Sequence, residues 1–294
     1  MRYLFSLLFT LPFVSTAQNN FSQDWLKCIV ELQKPDSIGV LRTHGTGFCL
    51  YNYKSGEFTY LVTCAHLLRN PFVYVRIPAS DSATILLGKN KIAALNISGR
   101  IWSFDGYSFT TKVDLVRNKT FVSNDSLDVG VIKFPYSGIY IFKPNDTIHG
   151  INMVNLAKIS NSRIRQKKDV EVGTNIYFVG FPLGIGSSDG YYGIKAFSDV
   201  KINPLVRGGI VAWKSDDNSQ FLVDGISYSG NSGSPVFTQG DLFGKYQPSL
   251  IGIVLGHLSD LTVQGADLNQ GLARCIWIDE ILKLKDKIDL LPNN

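Results

Sequence analysis

Apolar residues in this chain come in short runs, and each run is closed off by turn formers before it can complete a globular helix. Gly47–Tyr51, Phe58–Thr63, Phe72–Ile77, Lys91–Ile101 and Val129–Phe134 form one set; Asn175–Val179, Gly209–Trp213, Gln220–Val223, Pro235–Thr238 and Leu250–Leu255 form a second. Runs of this kind, rich in Val, Ile, Phe and Tyr and recurring roughly every ten residues, read as the strands of a barrel or sandwich. Lys54-Ser55-Gly56-Glu57 lies between two of them and signals a hairpin. Only Trp277–Lys285 has helical periodicity, with Ile278, Ile281 and Leu282 on one face. Residues 143–170 separate the two sets and are more polar. Their Arg163, Arg165, Lys167 and Lys168 read as a solvated linker or loop rather than a binding patch. The expectation is an all-β protein of two β units with a short C-terminal helix.

Composition agrees with that class. With 294 residues, 45% of them hydrophobic and 18% charged, the chain has ample mass for a core and too little charge to stay disordered. No long heptad run, collagen repeat or series of apolar 20-residue segments appears. Residues 1–17 read as a signal peptide: Arg2, an apolar run too short to span a bilayer, then Ser15-Thr16-Ala17 before polar Gln18. Cleavage is expected after Ala17, giving an exported protein, periplasmic or extracellular, with no integral membrane segment. The formal charge of +5 is mild and spread along the chain, which does not support nucleic-acid binding. Cys28, Cys49, Cys64 and Cys275 lack the close pairing of a zinc site. Buried thiols and disulfides both fit them, and neither a metal nor a cofactor is expected.

The chemistry concentrates in Gly230-Asn231-Ser232-Gly233-Ser234-Pro235. A nucleophilic serine needs a tight, glycine-flanked turn that projects its hydroxyl and gathers backbone N–H groups. Here the N–H groups of Gly230 and Ser232 would form an oxyanion hole. Such a run also serves as ordinary turn chemistry, so the reading depends on a base elsewhere. Of the four histidines, His66 follows the apolar run Leu61–Ala65, where a strand gives way to a loop. Asp128 leads directly into Val129–Ile132 and is the best-placed acid, with Asp125 and Asp114 as alternatives.

Thr63-Cys64-Ala65-His66, Asp128-Val129-Gly130-Val131 and Gly230–Pro235, in that order, resemble the His, Asp and Ser motifs of chymotrypsin-like serine proteases. Gly45-Thr46-Gly47-Phe48 is similar to the family's element one strand before the histidine. Val172–Gly184, Gly208–Val211 and Phe221–Gly225 look closest to bacterial trypsin-like peptidases of the HtrA type, here without a PDZ domain. The resemblance covers roughly residues 25–280. It implies two six-stranded Greek-key β-barrels, an N-terminal one over 18–142 carrying His66 and Asp128 and a C-terminal one over 171–275 carrying Ser232. Residues 143–170 would connect them, and 276–294 would form the helix and tail. Ser232 would be the nucleophile, His66 the base and Asp128 its orienting acid, acting on a polypeptide substrate.

By the same resemblance, Ile226, Ser227, Leu255, Gly256 and His257 form the substrate pocket. No aspartate stands at Ile226, so cleavage after Arg or Lys is not expected, and small or medium apolar side chains are favoured. Glutamyl endopeptidases share the GNSGSP run and a hydroxyl at the position of Ser227, but this chain has Val254 where they place a histidine. Asn231 stands where digestive enzymes have the aspartate of their activation switch, so that switch is not expected. A non-catalytic binding module on the same fold and an esterase are the competing readings.

Overall fold

The computed structural model describes residues 23–51, 58–78, 93–96, 101–104, 108–118, 121–135, 139–140, 159–182, 204–214, 216, 218–240, 247–261 and 267–290. The expected leader and residues 143–158 lie outside them. Strands β1 (Ile29–Pro35), β2 (Leu41–Tyr51), β3 (Phe58–Thr63), β4 (Phe72–Pro78), β5 (Ala93–Asn96), β6 (Ile101–Phe104), β7 (Ser108–Asp114), β8 (Phe121–Asn124), β9 (Val129–Pro135) and β10 (Ile139–Tyr140) build the first unit. They form one antiparallel, curled sheet in the order β10-β5-β6-β7-β4-β1-β2-β3-β9-β8. The hairpin expected around Lys54–Glu57 is present as β2 and β3, with Cys49 opposite Leu61. The run Lys91–Ile101, read as one strand, is instead divided. Leu95 pairs with Ile101 in an antiparallel ladder, and residues 97–100, which include the turn formers Ser98 and Gly99 of the sequence, lie outside the described residues.

The second unit is a closed barrel of β11 (Asn175–Gly180), β12 (Leu205–Lys214), β13 (Gln220–Asp224), β14 (Pro235–Thr238), β15 (Leu250–Leu261) and β16 (Asp267–Trp277). The strands meet in the order β11-β12-β13-β16-β15-β14. Alternation along each strand fills the interior: Phe221 and Val223 from β13 meet Ala273, Cys275 and Trp277 from β16. The Phe221 and Trp277 rings stack at 4.0 Å. Ile253, Ile276 and Phe237 instead join the core of the first unit, so the face between the two units is apolar and continuous. This is the two-unit, trypsin-like architecture that the motifs implied.

Residues 159–170 straddle both units. The Ile159 N–H donates to the Cys49 carbonyl at 2.9 Å, and the Arg165 N–H donates to the Leu250 carbonyl at 2.9 Å. The C-terminal helix runs from Ile278 to Ile288, one turn beyond the expected end at Lys285. Its buried stripe is Ile278, Ile281, Leu284 and Ile288, while Leu282 is only partly buried. The helix packs on β8, β9 and β15, and the Tyr60 hydroxyl donates to the Asp289 carboxylate just past its end. All four cysteines are buried, and none of them is joined in a disulfide. No helix among the described residues is long and apolar enough to cross a membrane.

Candidate active site

β3 ends at Thr63, and the chain turns through extended Cys64 into a single 3-10 turn, Ala65–Leu68. Ala65, Leu67 and Leu68 are buried, which pins the turn and leaves the His66 ring half-exposed. Asp128 closes the turn that leads into β9, with φ at 56°, a left-handed conformation in which a short polar residue is tolerated better than most. Its carbonyl accepts the Ala65 N–H at 3.1 Å. Its carboxylate accepts the His66 backbone N–H at 2.9 Å and lies 3.0 and 2.8 Å from ring Nδ1. Burial pushes the Asp128 carboxyl up. The hydrogen bonds from the His66 ring and backbone, with the nearby charges of His66 and Arg274, outweigh it and hold the group below its ordinary range. Asp128 thus reaches His66 through both ring and backbone. The Asp114 carboxylate instead accepts the Val116 N–H, and Asp125 is exposed.

Ser232 sits in a turn between β13 and β14 whose backbone is bonded at nearly every step. Asn231 N–H donates to Tyr228 O, Ser234 N–H to Asn231 O and Gly233 N–H to Val254 O. Gly230 and Gly233 have φ of 94° and 86°. A Cβ at Gly233 would stand 2.0 Å from the Thr46 carbonyl oxygen, so glycine is needed there for space as well as conformation. The Ser232 hydroxyl donates to the Leu255 carbonyl at 3.1 Å. Leu255 is the extra residue of a bulge in β15, where the register passes from Val254↔Cys275 to Gly256↔Arg274.

The motifs did not disclose how the serine turn is fastened to the first unit. Thr46, on β2, is the fastening. Its N–H donates to the Ser232 carbonyl at 2.8 Å, its hydroxyl donates to the Gly230 carbonyl at 2.7 Å, and that same oxygen accepts the Phe181 N–H at 3.1 Å. Thr63 donates its hydroxyl to the Thr46 carbonyl at 2.7 Å. The Cys64 thiol donates to Val254 O at 3.3 Å, the oxygen that also accepts Gly233 N–H. The His66 turn and the Ser232 turn therefore lie against one another. A threonine set between Gly45 and Gly47, just before the apolar Phe48-Cys49-Leu50, is the sequence signal of this role.

His44 is a second histidine near the site. The β1–β2 register passes from Leu32↔Gly45 to Gln33↔Thr43, leaving His44 as the bulge residue. Burial, and then the charges of Lys34 and His66, bring its pKa down to about 4.

The expected pocket residues divide by environment. Ile226 is 46% exposed, whereas Ser227 beside it is fully buried, its hydroxyl without a partner among the described residues. The Ser227 carbonyl accepts a hydrogen bond from the Asn269 side chain. Leu255 is buried, and Gly256 and His257 are half-buried on the same strand. The Asn231 side chain and the Ser234 hydroxyl are also buried without partners among the described residues.

Cys64 Sγ, His66 and Asp128 offer ligand atoms within 4.8 Å of one another. A metal would need the thiolate, and burial, reinforced by Asp128, pushes the Cys64 thiol well above its ordinary range. Both Asp128 oxygens are also engaged by His66, so this donor set does not suit a metal.

No curated protein matches this chain. The family model for the trypsin-like peptidase domain matches residues 45–244, more than half of the chain and the whole span from the Thr46 fastening to the serine turn. With its closed barrel, its curled partner sheet and this site between them, the chain belongs to the trypsin-like peptidase family.

Proposed function

We propose that the protein is an exported serine endopeptidase that cleaves through Ser232, His66 and Asp128. The observation that carries the reading is the double grip of Asp128 on His66. A carboxylate at Nδ1 keeps the proton on that nitrogen and leaves Nε2 free to act as base. The Ser232 hydroxyl turns from Leu255 O toward Nε2, loses its proton to His66 and attacks the scissile carbonyl. The developing oxyanion is held by the N–H groups of Gly230 and Ser232. His66 then returns the proton to the leaving amine, and Asp128 stabilises the imidazolium in between. Water, activated by the same histidine, releases the acyl group.

The preferred residue before the scissile bond is small or medium and apolar, since no acid stands at Ile226 to pair with a basic side chain. The enclosed, unpartnered Ser227 hydroxyl favours a second reading, an acidic or amide side chain reaching it. The leader implied by residues 1–17 would carry the enzyme out of the cytoplasm.

Incubation of the purified protein with a fluorophosphonate probe, together with hydrolysis of a casein substrate, tests the mechanism. Wild type should be labelled and should turn over casein, and Ser232→Ala should do neither. A folded wild-type sample that takes up no label at Ser232 refutes the triad reading. A peptide library then separates apolar from acidic preference.

A further inference from the structure

β16 alternates about the barrel wall. Ala273 and Cys275 fill the interior, while Ile276 on the opposite face is buried against the first unit. Arg274 lies between them in sequence and is exposed. Its cross-strand partner is Gly256, and directly opposed residues present their side chains to the same face of a sheet. A Cβ built on Gly256 meets no atom within 4 Å, so on that face the glycine leaves the arginine uncovered. The pair sits one residue past Leu255, whose carbonyl accepts the Ser232 hydroxyl. The Arg274 charge is felt at Asp128 and at Cys64, which places the guanidinium on the triad side of the barrel. Among the described residues it has no ion-pair or side-chain hydrogen-bond partner, and the Asp128 oxygens are already engaged by His66.

A guanidinium left uncovered beside a reaction centre matches one chemical group above others, the carboxylate, through parallel N–H donors. We propose that Arg274 is a specificity-determining residue that takes an Asp or Glu side chain of the polypeptide substrate on the acyl side of the scissile bond. The inference rests on the endopeptidase reading above. On this proposal the acyl side of the substrate lies along Leu255, Gly256 and His257, which the resemblance assigns to the substrate pocket, past the glycine that exposes Arg274. The subsite is separate from the pocket at Ser227, which takes the residue at the bond itself.

The test uses peptides with alanine at the scissile position and a single Glu, or isosteric Gln, at each of the three preceding positions. At one position the Glu peptide should exceed its Gln counterpart about fivefold in kcat/KM at low salt, as an exposed ion pair at the upper end of its range allows. Added salt should shrink the ratio, and Arg274→Gln should bring it to one. A ratio of one in wild type, or a ratio that survives Arg274→Gln, overturns the proposal. Equal proportional losses on both peptides would leave the ratio intact and assign Arg274 to supporting Asp128 alone, which also overturns it. A second arm measures fluorescence anisotropy of fluorescein-labelled Glu and Gln peptides on Ser232→Ala protein. The Glu form should bind about fivefold tighter, and the added Arg274→Gln change should remove the difference. This arm needs no turnover. Absence of hydrolysis by wild type would thus count against the triad reading, while anisotropy still judges Arg274.

Discussion

Replacing Thr46 by valine removes one hydroxyl and keeps the shape of the side chain. Thr46 is fully buried on β2, and its oxygen both donates to Gly230 O and accepts from Phe181 N–H. Its backbone bond to Ser232 O involves only main-chain atoms and survives the change. The variant thus isolates the part of the fastening that acts on Gly230. Two hydrogen bonds are lost, and a carbonyl and an N–H remain enclosed. An unsatisfied buried group costs about 1–3 kcal/mol, so the destabilisation should be about 2–4 kcal/mol if partial rehydration is allowed for. Urea unfolding followed by tryptophan fluorescence, in a Ser232→Ala background to prevent self-cleavage, gives the number directly. The melting temperature should fall by roughly 5–10 °C. Because the proposed mechanism also takes an oxyanion N–H from Gly230, the otherwise wild-type Thr46→Val enzyme should lose kcat more than it gains in KM. Thr46→Ser keeps the oxygen and should retain most of both properties. A Thr46→Val loss below about 0.5 kcal/mol, within the range of an ordinary surface change, would refute the argument that this hydroxyl holds the units together at the serine turn.

Two further outcomes follow from the same geometry. Because the His44 pKa falls to about 4 in the folded protein, the unfolded chain takes up a proton first as pH drops, so His44 removes stability between about pH 6.5 and pH 4 and has no effect above that window. Melting temperatures of His44→Phe should decline less than wild type across that interval, and parallel curves would contradict the assignment. Gly233→Ala places a methyl group against Thr46 O in a left-handed backbone; the variant should be destabilised by more than 1 kcal/mol, roughly the conformational term alone, and should lose fluorophosphonate labelling. Labelling at the wild-type rate would show that the turn relaxes without moving Ser232.

What the sequence disclosed was what repeats or what chemistry singles out. The barrel strands were visible because short apolar runs such as Phe221-Leu222-Val223 recur about every ten residues, and the helix because Ile278 and Ile281 fall on one face. That Asp128 would stand against His66 was legible because each leads out of or into an apolar strand run, in motifs that resemble one family. Long-range geometry was not. That Thr46 would bridge Ser232, Gly230 and Phe181 depends on contacts across more than 130 positions, and no local pattern encodes them. The bulges that unpair His44 and Leu255 are register events, and a single chain read alone carries no register. The break inside Lys91–Ile101 was missed because Ala93–Leu95 and Ile101 were read as one run across Ser98-Gly99.

The C-terminal helix has a consequence for how the protein is made. Its buried stripe covers β8 and β9 of the first unit, and Asp289 accepts from Tyr60 on β3. Those strands leave the ribosome well before the helix that covers them, on the order of ten seconds earlier at ordinary synthesis rates. Throughout that interval the first unit displays an apolar surface with nothing to cover it, and it is exposed to misassociation. The first unit, with His66 and Asp128 on it, thus reaches its finished setting only once the helix Ile278–Ile288 has been made and packs on β8 and β9.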